Sequence, residues 1–171
     1  MSYSVSFYLA DIQKLQKILD EKDLSILDEM SFDENEEDDW ENRAYLEKLM
    51  TGSEPDDEDE PFEYAYSLEQ IVAHLFGESV PVPEFEDLRI GKFEGVLSWI
   101  LKSGSPIKLP PNDDYPYVGH RFLPEIQKML NDWNDKNFEE YAPKIQTMIK
   151  AMFRIFRTAV KQKKDVITFY Y

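Results

Sequence analysis

Hydrophobic and polar residues alternate at both ends of the chain. In segment 3–9, one side carries Tyr3, Val5, Phe7 and Leu9, and the other carries Ser4, Ser6 and Tyr8. A period of two is typical of a half-buried β-strand. The last stretch, DVITFYY, is β-branched and aromatic and also predicts a strand. An isolated strand pair is only marginally stable, so we expect the two terminal strands to pair at the centre of a small sheet covered by helices.

Between the ends, hydrophobic residues recur with the helical period of 3.6. Capping residues and prolines predict helix starts at Asp11, Asp23, Ser67, Pro124 and Pro143. Two further predictions are a helix from about Lys92 to Lys102 and a short strand at Ile107–Leu109. The predicted fold class is α+β, mostly helical, with a small sheet that pairs the N-terminal and C-terminal strands. We expect a single domain over residues 1–171, a common domain size.

The bulk composition narrows the class of protein. Hydrophobic residues make up 42% of the chain, which is enough for a core, and the net charge is −16. The acidic balance disfavours nucleic acid as a ligand, because phosphate binding needs clustered bases. No signal peptide or apolar run long enough to cross a membrane is visible. The expectation is a soluble cytoplasmic protein.

Charge is distributed unevenly along the chain. Segment 33–63 holds 15 acidic residues against Arg43 and Lys48, whereas segment 144–164 holds seven bases and no acid. Such polarity steers association with oppositely charged partners. Residues 53–61 contain no hydrophobic side chain and predict an acidic mobile loop. The stretch DENEEDDWENRA spaces its oxygens as an EF-hand does, but Asp38 and Ala44 replace the required glycine and glutamate.

The stretch NDDYPYVGHRFLPE is the main candidate for chemistry. Prolines predict an irregular loop over Tyr115–Arg121, and loops held between helices often carry function. Tyr117, His120 and Arg121 are candidate ligand-binding residues, with Arg121 holding an anion. The alternative is structural: the tyrosines pack and the arginine forms an ion pair.

Known catalytic signatures are missing from the sequence. There is no cysteine, nucleophile elbow, P-loop or dinucleotide fingerprint, and two histidines are too few for a histidine-rich metal site. A carboxylate-dominated metal site is not excluded. This inventory favours a non-enzymatic role and predicts no cofactor.

Four stretches resemble the YfbM-like family of small bacterial proteins and its relatives, which have no assigned function. They are SVSFYLADIQKLQKIL, LSWILKSG, YPYVGHRFLPEIQKML and FRIFRTAVKQKKDVITFYY. The resemblance implies an α+β domain in the bacterial cytoplasm and brings no reaction with it.

Two functional hypotheses follow. The first is an acidic protein-binding module that docks on a basic partner, as an immunity protein does, with aromatic anchors among its carboxylates. Its candidate contacts are Asp38, Asp39, Trp40, Asp113, Asp114 and Tyr115. The second is a small-ligand binder or enzyme that uses the Tyr115–Arg121 loop. The sequence leaves the oligomeric state open.

Overall fold

The computed structural model describes residues 4–30, 37–56, 60–85, 103–111, 116–133 and 138–171, with side chains in the second range from residue 42 onward. The strands of this part of the chain are β1 (Val5–Ala10), β2 (Tyr117–Arg121) and β3 (Asp165–Tyr170). Its helices are α1 (Ile12–Glu21), α2 (Ser25–Glu29), α3 (Glu37–Thr51), α4 (Pro61–Phe76), α5 (Leu123–Trp133) and α6 (Pro143–Gln162). One 3-10 turn spans Pro83–Phe85.

The three strands form an antiparallel sheet in the order β1-β3-β2. Val5 lies opposite Tyr170 in the β1–β3 pair, and Tyr117 lies opposite the same Tyr170 in the β2–β3 pair. The α+β class and the pairing of the terminal strands are therefore confirmed. The expectation that both terminal strands are central is wrong, because only β3 has a strand on each side and β1 lies outside it.

Helices cover both faces of the sheet. Phe7 and Val166 point to one face, where α5, α6 and the 3-10 turn complete a core with residues such as Phe156. Tyr8 and Ile167 point to the other face, where α1 to α4 complete a second core. The alternation read from the sequence thus serves two cores, one on each side of the terminal strands.

Helix starts follow local chemistry with two exceptions. The predicted cap Asp23 lies one residue before the observed N-cap of α2, Leu24, which makes no side-chain capping bond. Pro143 begins α6 as predicted, because a proline lacks the N–H that the first helical turn leaves unpaired. The predicted start at Ser67 is wrong: α4 begins at Pro61, and Ser67 is buried inside it. Residues 107–109 form no strand, and the helix predicted at 92–102 lies outside the described residues.

One carboxylate joins the two helix layers to the sheet. Asp165 begins β3 and lies beside the ends of both neighbouring strands, because both are antiparallel to β3. Its Oδ2 accepts a hydrogen bond from the Ile12 N–H at 3.1 Å, and its Oδ1 accepts one from the Leu123 N–H at 2.8 Å. These are the first residues of α1 and α5, so Asp165 satisfies an otherwise unpaired donor in each layer.

Candidate functional site

The predicted Tyr115–Arg121 loop is largely a strand. Tyr117–Arg121 form β2, so the prediction of an irregular segment is wrong for these five residues. Long-range pairing with β3 overrides the local signals of Gly119 and the flanking prolines. Tyr117 is 39% exposed, and its ring stacks on Tyr170 with centroids 6.4 Å apart. That stacking places the Tyr117 ring on the same face of the sheet as Tyr170, the face covered by α5 and α6.

His120 and Arg121 have protein partners. His120 Nδ1 lies 2.8 Å from the Gly104 carbonyl oxygen, and because a carbonyl only accepts, Nδ1 carries the proton. The Ser103 hydroxyl hydrogen-bonds to the His120 carbonyl, and Arg121 Nη1 contacts that hydroxyl. Burial lowers the pKa of the Arg121 guanidinium, while Glu125 acts in the opposite direction. A ligand-binding role for these two side chains stays a prediction, and their observed contacts fasten residues 103–105 to β2.

Residues 103–111, here named the proline strap, lie beside the outer edge of β2. The Gln16 amide donates a 2.8 Å hydrogen bond to the carbonyl of Pro106, which ties the strap to α1 as well. Between the strap, β2 and the start of α4 lies a cavity of about 570 Å³. Tyr117 and Val118 line one wall, and Pro61 and Ala65 line another. Its size is within the range of about 300–1,000 Å³ that ligand pockets occupy.

Two further cavities adjoin the strap. One of about 450 Å³ is bounded by Tyr64, by Gly52–Pro55 after α3, and by Lys108–Pro111 of the strap. Another of about 470 Å³ lies between Leu19 of α1 and Pro106–Lys108. Lys108 lines all three cavities. In the sequence, the proline run was the feature that indicated this region. It did not reveal which helices the run crosses.

The sheet separates opposite charges. Helix α3 and the start of α4 belong to the acidic segment 33–63 and pack on one face, whereas α6 carries most of the basic segment 144–164 on the other. Within the acidic segment, Glu54, Asp56 and Glu60 are exposed. Lys48 Nζ lies 2.9 Å from Asp56 Oδ2 and Arg43 Nε lies 3.1 Å from Glu47 Oε1, so both bases of the segment are engaged locally. Among the side chains that the structure describes, the exposed acids of segment 33–63 therefore lie on the opposite side of the sheet from the exposed bases of α6.

All six predicted partner contacts lie, wholly or in their side chains, outside the described residues. These are Asp113, Asp114 and Tyr115, together with the side chains of Asp38, Asp39 and Trp40, of which only the backbone is described, in α3.

Sequence reasoning missed a half-buried carboxylate between α4 and β1. The Tyr8 hydroxyl donates a 2.8 Å hydrogen bond to Glu69 Oε1. Burial raises the pKa of Glu69, and burial together with the Glu69 charge raises the pKa of Tyr8. The signal was present, because Tyr8 is the one aromatic residue on the otherwise serine-bearing side of the first strand.

Within the ranges that the structure covers, no group of three or more acidic or histidine side chains is placed to hold a metal ion. None of the helices described there is both long and apolar enough to cross a bilayer.

A family model described as a domain of unknown function, DUF7691, matches residues 1–171. The chain belongs to the DUF7691 family. For this DUF7691 chain, neither the comparison with curated proteins nor the comparison with solved structures finds a match. The family carries no activity over, so any function must be argued from the residues themselves.

Proposed function

We propose that the chain is a protein-binding module whose acidic face docks on a basic partner in the bacterial cytoplasm. The observation that supports the proposal is the placement of exposed charge: Glu54, Asp56 and Glu60 lie on one side of the sheet, and the exposed bases of α6 lie on the other. An extended field of one sign raises the rate of encounter with an opposite surface and disfavours wrong partners. An immunity-like role against a basic enzyme is the concrete form of this proposal.

The cavities beside the proline strap supply anchor points for such a partner. Binding energy at protein interfaces concentrates in a few side chains that fill pockets, surrounded by a polar rim. Two cavities open where the strap meets the acidic segment, next to Pro61 in one case and Glu54 in the other. Tyr117 and Val118 of β2 also line the first of them. An apolar or long basic side chain of the partner fits this combination of pockets and nearby carboxylates.

Relationship to the YfbM-like family is part of the same proposal. It is supported by the strand-to-helix order at the start of the chain and the helix-to-strand order at its end. This relationship places the protein in bacteria and implies no reaction.

The test is affinity capture from the native cell lysate, with matched charge variants as bait. Glu54→Gln with Glu60→Gln removes two exposed charges from the acidic face. Asp132→Asn with Glu140→Gln removes two exposed charges from the α5–α6 side and serves as the control. We expect one basic protein to be retained by the wild type and the control, and to be weakened by the first variant and by high salt. Equal retention by both variants would place the interface elsewhere.

A second candidate function is small-ligand binding in the cavity beside Tyr117. The observation that favours it is the cavity itself, which prolines and packed strands preform. A thermal-shift screen of small anions and neutral compounds tests it, because a ligand that binds only the folded state raises the melting temperature. Tyr117→Ala should abolish such a shift, and a shift that survives this substitution would exclude the cavity as the site.

A further inference from the structure

Four exposed bases form a row on helix α6. They are Lys150, Arg154, Arg157 and Lys161, and we name them the basic stripe. Spacings of four, three and four residues place them on one side of the helix. The opposite side carries Met152, Ile155 and Phe156, all fully buried in the core beneath α6. The stripe therefore faces away from the sheet, on the side remote from α3 and α4.

Two of the four bases are held in position. Arg154 Nη1 and Nη2 lie 2.8 and 3.0 Å from the two carboxylate oxygens of Glu84. The Arg157 guanidinium lies over the Phe153 ring, 5.6 Å from its centroid. Neither contact covers its arginine, since both residues remain exposed. Such ordering lowers the entropy that a docked stripe would lose.

We propose that the basic stripe of one copy docks on the acidic face of a second copy, near Glu54, Asp56 and Glu60. The inference rests on the proposed function, because it names a partner for the same acidic face. Its warrant is charge complementarity: α6 presents the basic stripe on one side of the sheet, and Glu54, Asp56 and Glu60 are exposed on the other.

The net charge of −16 does not forbid this contact. A helix with its side chains is about 10 Å thick, so two helix layers with a sheet between them separate the two faces by more than about 20 Å. The Debye length near physiological ionic strength is about 8 Å. Distant acidic residues are therefore screened, while charges brought into direct contact still attract.

The geometry fixes the type of assembly. The two surfaces lie on opposite faces of one molecule, so they cannot meet within a copy. A contact between different patches is heterologous and continues from copy to copy as a ring or an open filament. The 20-residue α6 is about 30 Å long and presents a narrow surface, so a weak and concentration-dependent association is expected. A basic partner on the acidic face would compete with it.

Sedimentation velocity of the full chain at several protein concentrations tests the inference. At about 0.1 M salt, where the Debye length is about 10 Å, the average mass should exceed 20.2 kDa and rise with concentration. At about 1 M salt, where the Debye length is about 3 Å, the average mass should return to 20.2 kDa. A monomer under every condition, or an association that strengthens in 1 M salt, would overturn the inference.

Charge-reversal variants separate the effect of the basic stripe on association from the effect of the net charge of the chain. Lys150→Glu with Arg157→Glu should abolish the association at 0.1 M salt. Lys14→Glu with Lys17→Glu, at exposed positions of α1, changes the net charge equally and should preserve it. Loss in both variants would show that net charge and not the stripe controls association.

The outcome also separates the two proposals. A monomer that still captures a basic protein through Glu54 and Glu60 refutes only the self-association. The proposed function is refuted if the chain self-associates through the stripe but captures partners equally well with and without the charges of Glu54 and Glu60. If stripe reversal abolishes association while Glu54→Gln with Glu60→Gln leaves it unchanged, the stripe docks elsewhere and the arrangement proposed above is wrong.

Discussion

Replacing Asp165 by alanine should weaken two helix starts at once. The carboxylate accepts the Ile12 N–H through Oδ2 and the Leu123 N–H through Oδ1, so alanine leaves both donors without a protein partner. Losing a side-chain cap costs about 1 kcal/mol, with a range of ~0.5–2. Two such losses predict a decrease of about 2 kcal/mol in the free energy of unfolding. For a chain of this size, this corresponds to about 4–8 °C in melting temperature.

Two further variants calibrate this value. Asp11→Ala removes a single cap of the same kind, since Asp11 Oδ1 accepts the Lys14 N–H at 2.9 Å, and should cost about 1 kcal/mol. Asp165→Asn retains one accepting oxygen and turns the other into a donor, so its cost should lie between those of the two alanine variants.

Urea unfolding followed by circular dichroism provides the free energies, with thermal unfolding as a second readout. If Asp165→Ala costs no more than Asp11→Ala, the carboxylate is not the junction of the two helix layers. The same conclusion follows if Asp165→Asn is indistinguishable from the wild type.

Three other predictions concern stability. Thr168 is fully buried, and its hydroxyl lacks a hydrogen-bond partner in the described structure. Thr168→Val should therefore raise the free energy of unfolding, measured in urea, by about 1 kcal/mol, and a decrease in this free energy would contradict the prediction. Burial raises the pKa of Glu69, so its ionisation costs stability as pH rises through that pKa. The glutamine of Glu69→Gln can still accept the hydrogen bond from the Tyr8 hydroxyl. The melting temperature of this variant, relative to that of the wild type, should therefore rise from acidic to neutral pH, and a difference that does not change with pH would refute this. A double-mutant cycle on the partly exposed Arg154–Glu84 pair should give a coupling energy of no more than ~1 kcal/mol at neutral pH. The coupling should be lost at acid pH, where Glu84 becomes protonated, because Arg154 lowers the pKa of Glu84; a larger or pH-independent coupling would contradict this.

The sequence predicted the elements whose local signals agree with their environment. β1 and β3 alternate and are rich in β-branched and aromatic residues, and Pro143 marks a helix start by its own chemistry. β2 could not be predicted in the same way. Its five residues include Gly119, and its strand conformation depends on pairing with β3, distant in the sequence.

Candidate-site prediction reached a similar limit. Tyr117 was identified from the composition of its segment, and it does line a cavity. Pro61 and Ala65, on the opposite wall, come from a helix far away in the chain. The position of Asp165 between two helix starts likewise depends on strand order, which no local pattern encodes. Charge runs were visible in the sequence, but only the packing of the helices on the sheet shows that the exposed acids Glu54, Asp56 and Glu60 lie opposite the exposed bases of α6.

The central claim is that the acidic face around Glu54 and Glu60 meets a basic partner. Zero-length carbodiimide cross-linking in native lysate joins a carboxylate directly to a lysine in contact with it, and mass spectrometry then identifies both residues. The proposal predicts cross-links from Glu54, Asp56, Glu60 or Glu63 to lysines of one basic protein. Cross-links confined to Asp132, Glu139 or Glu140 on the α5–α6 side would contradict it.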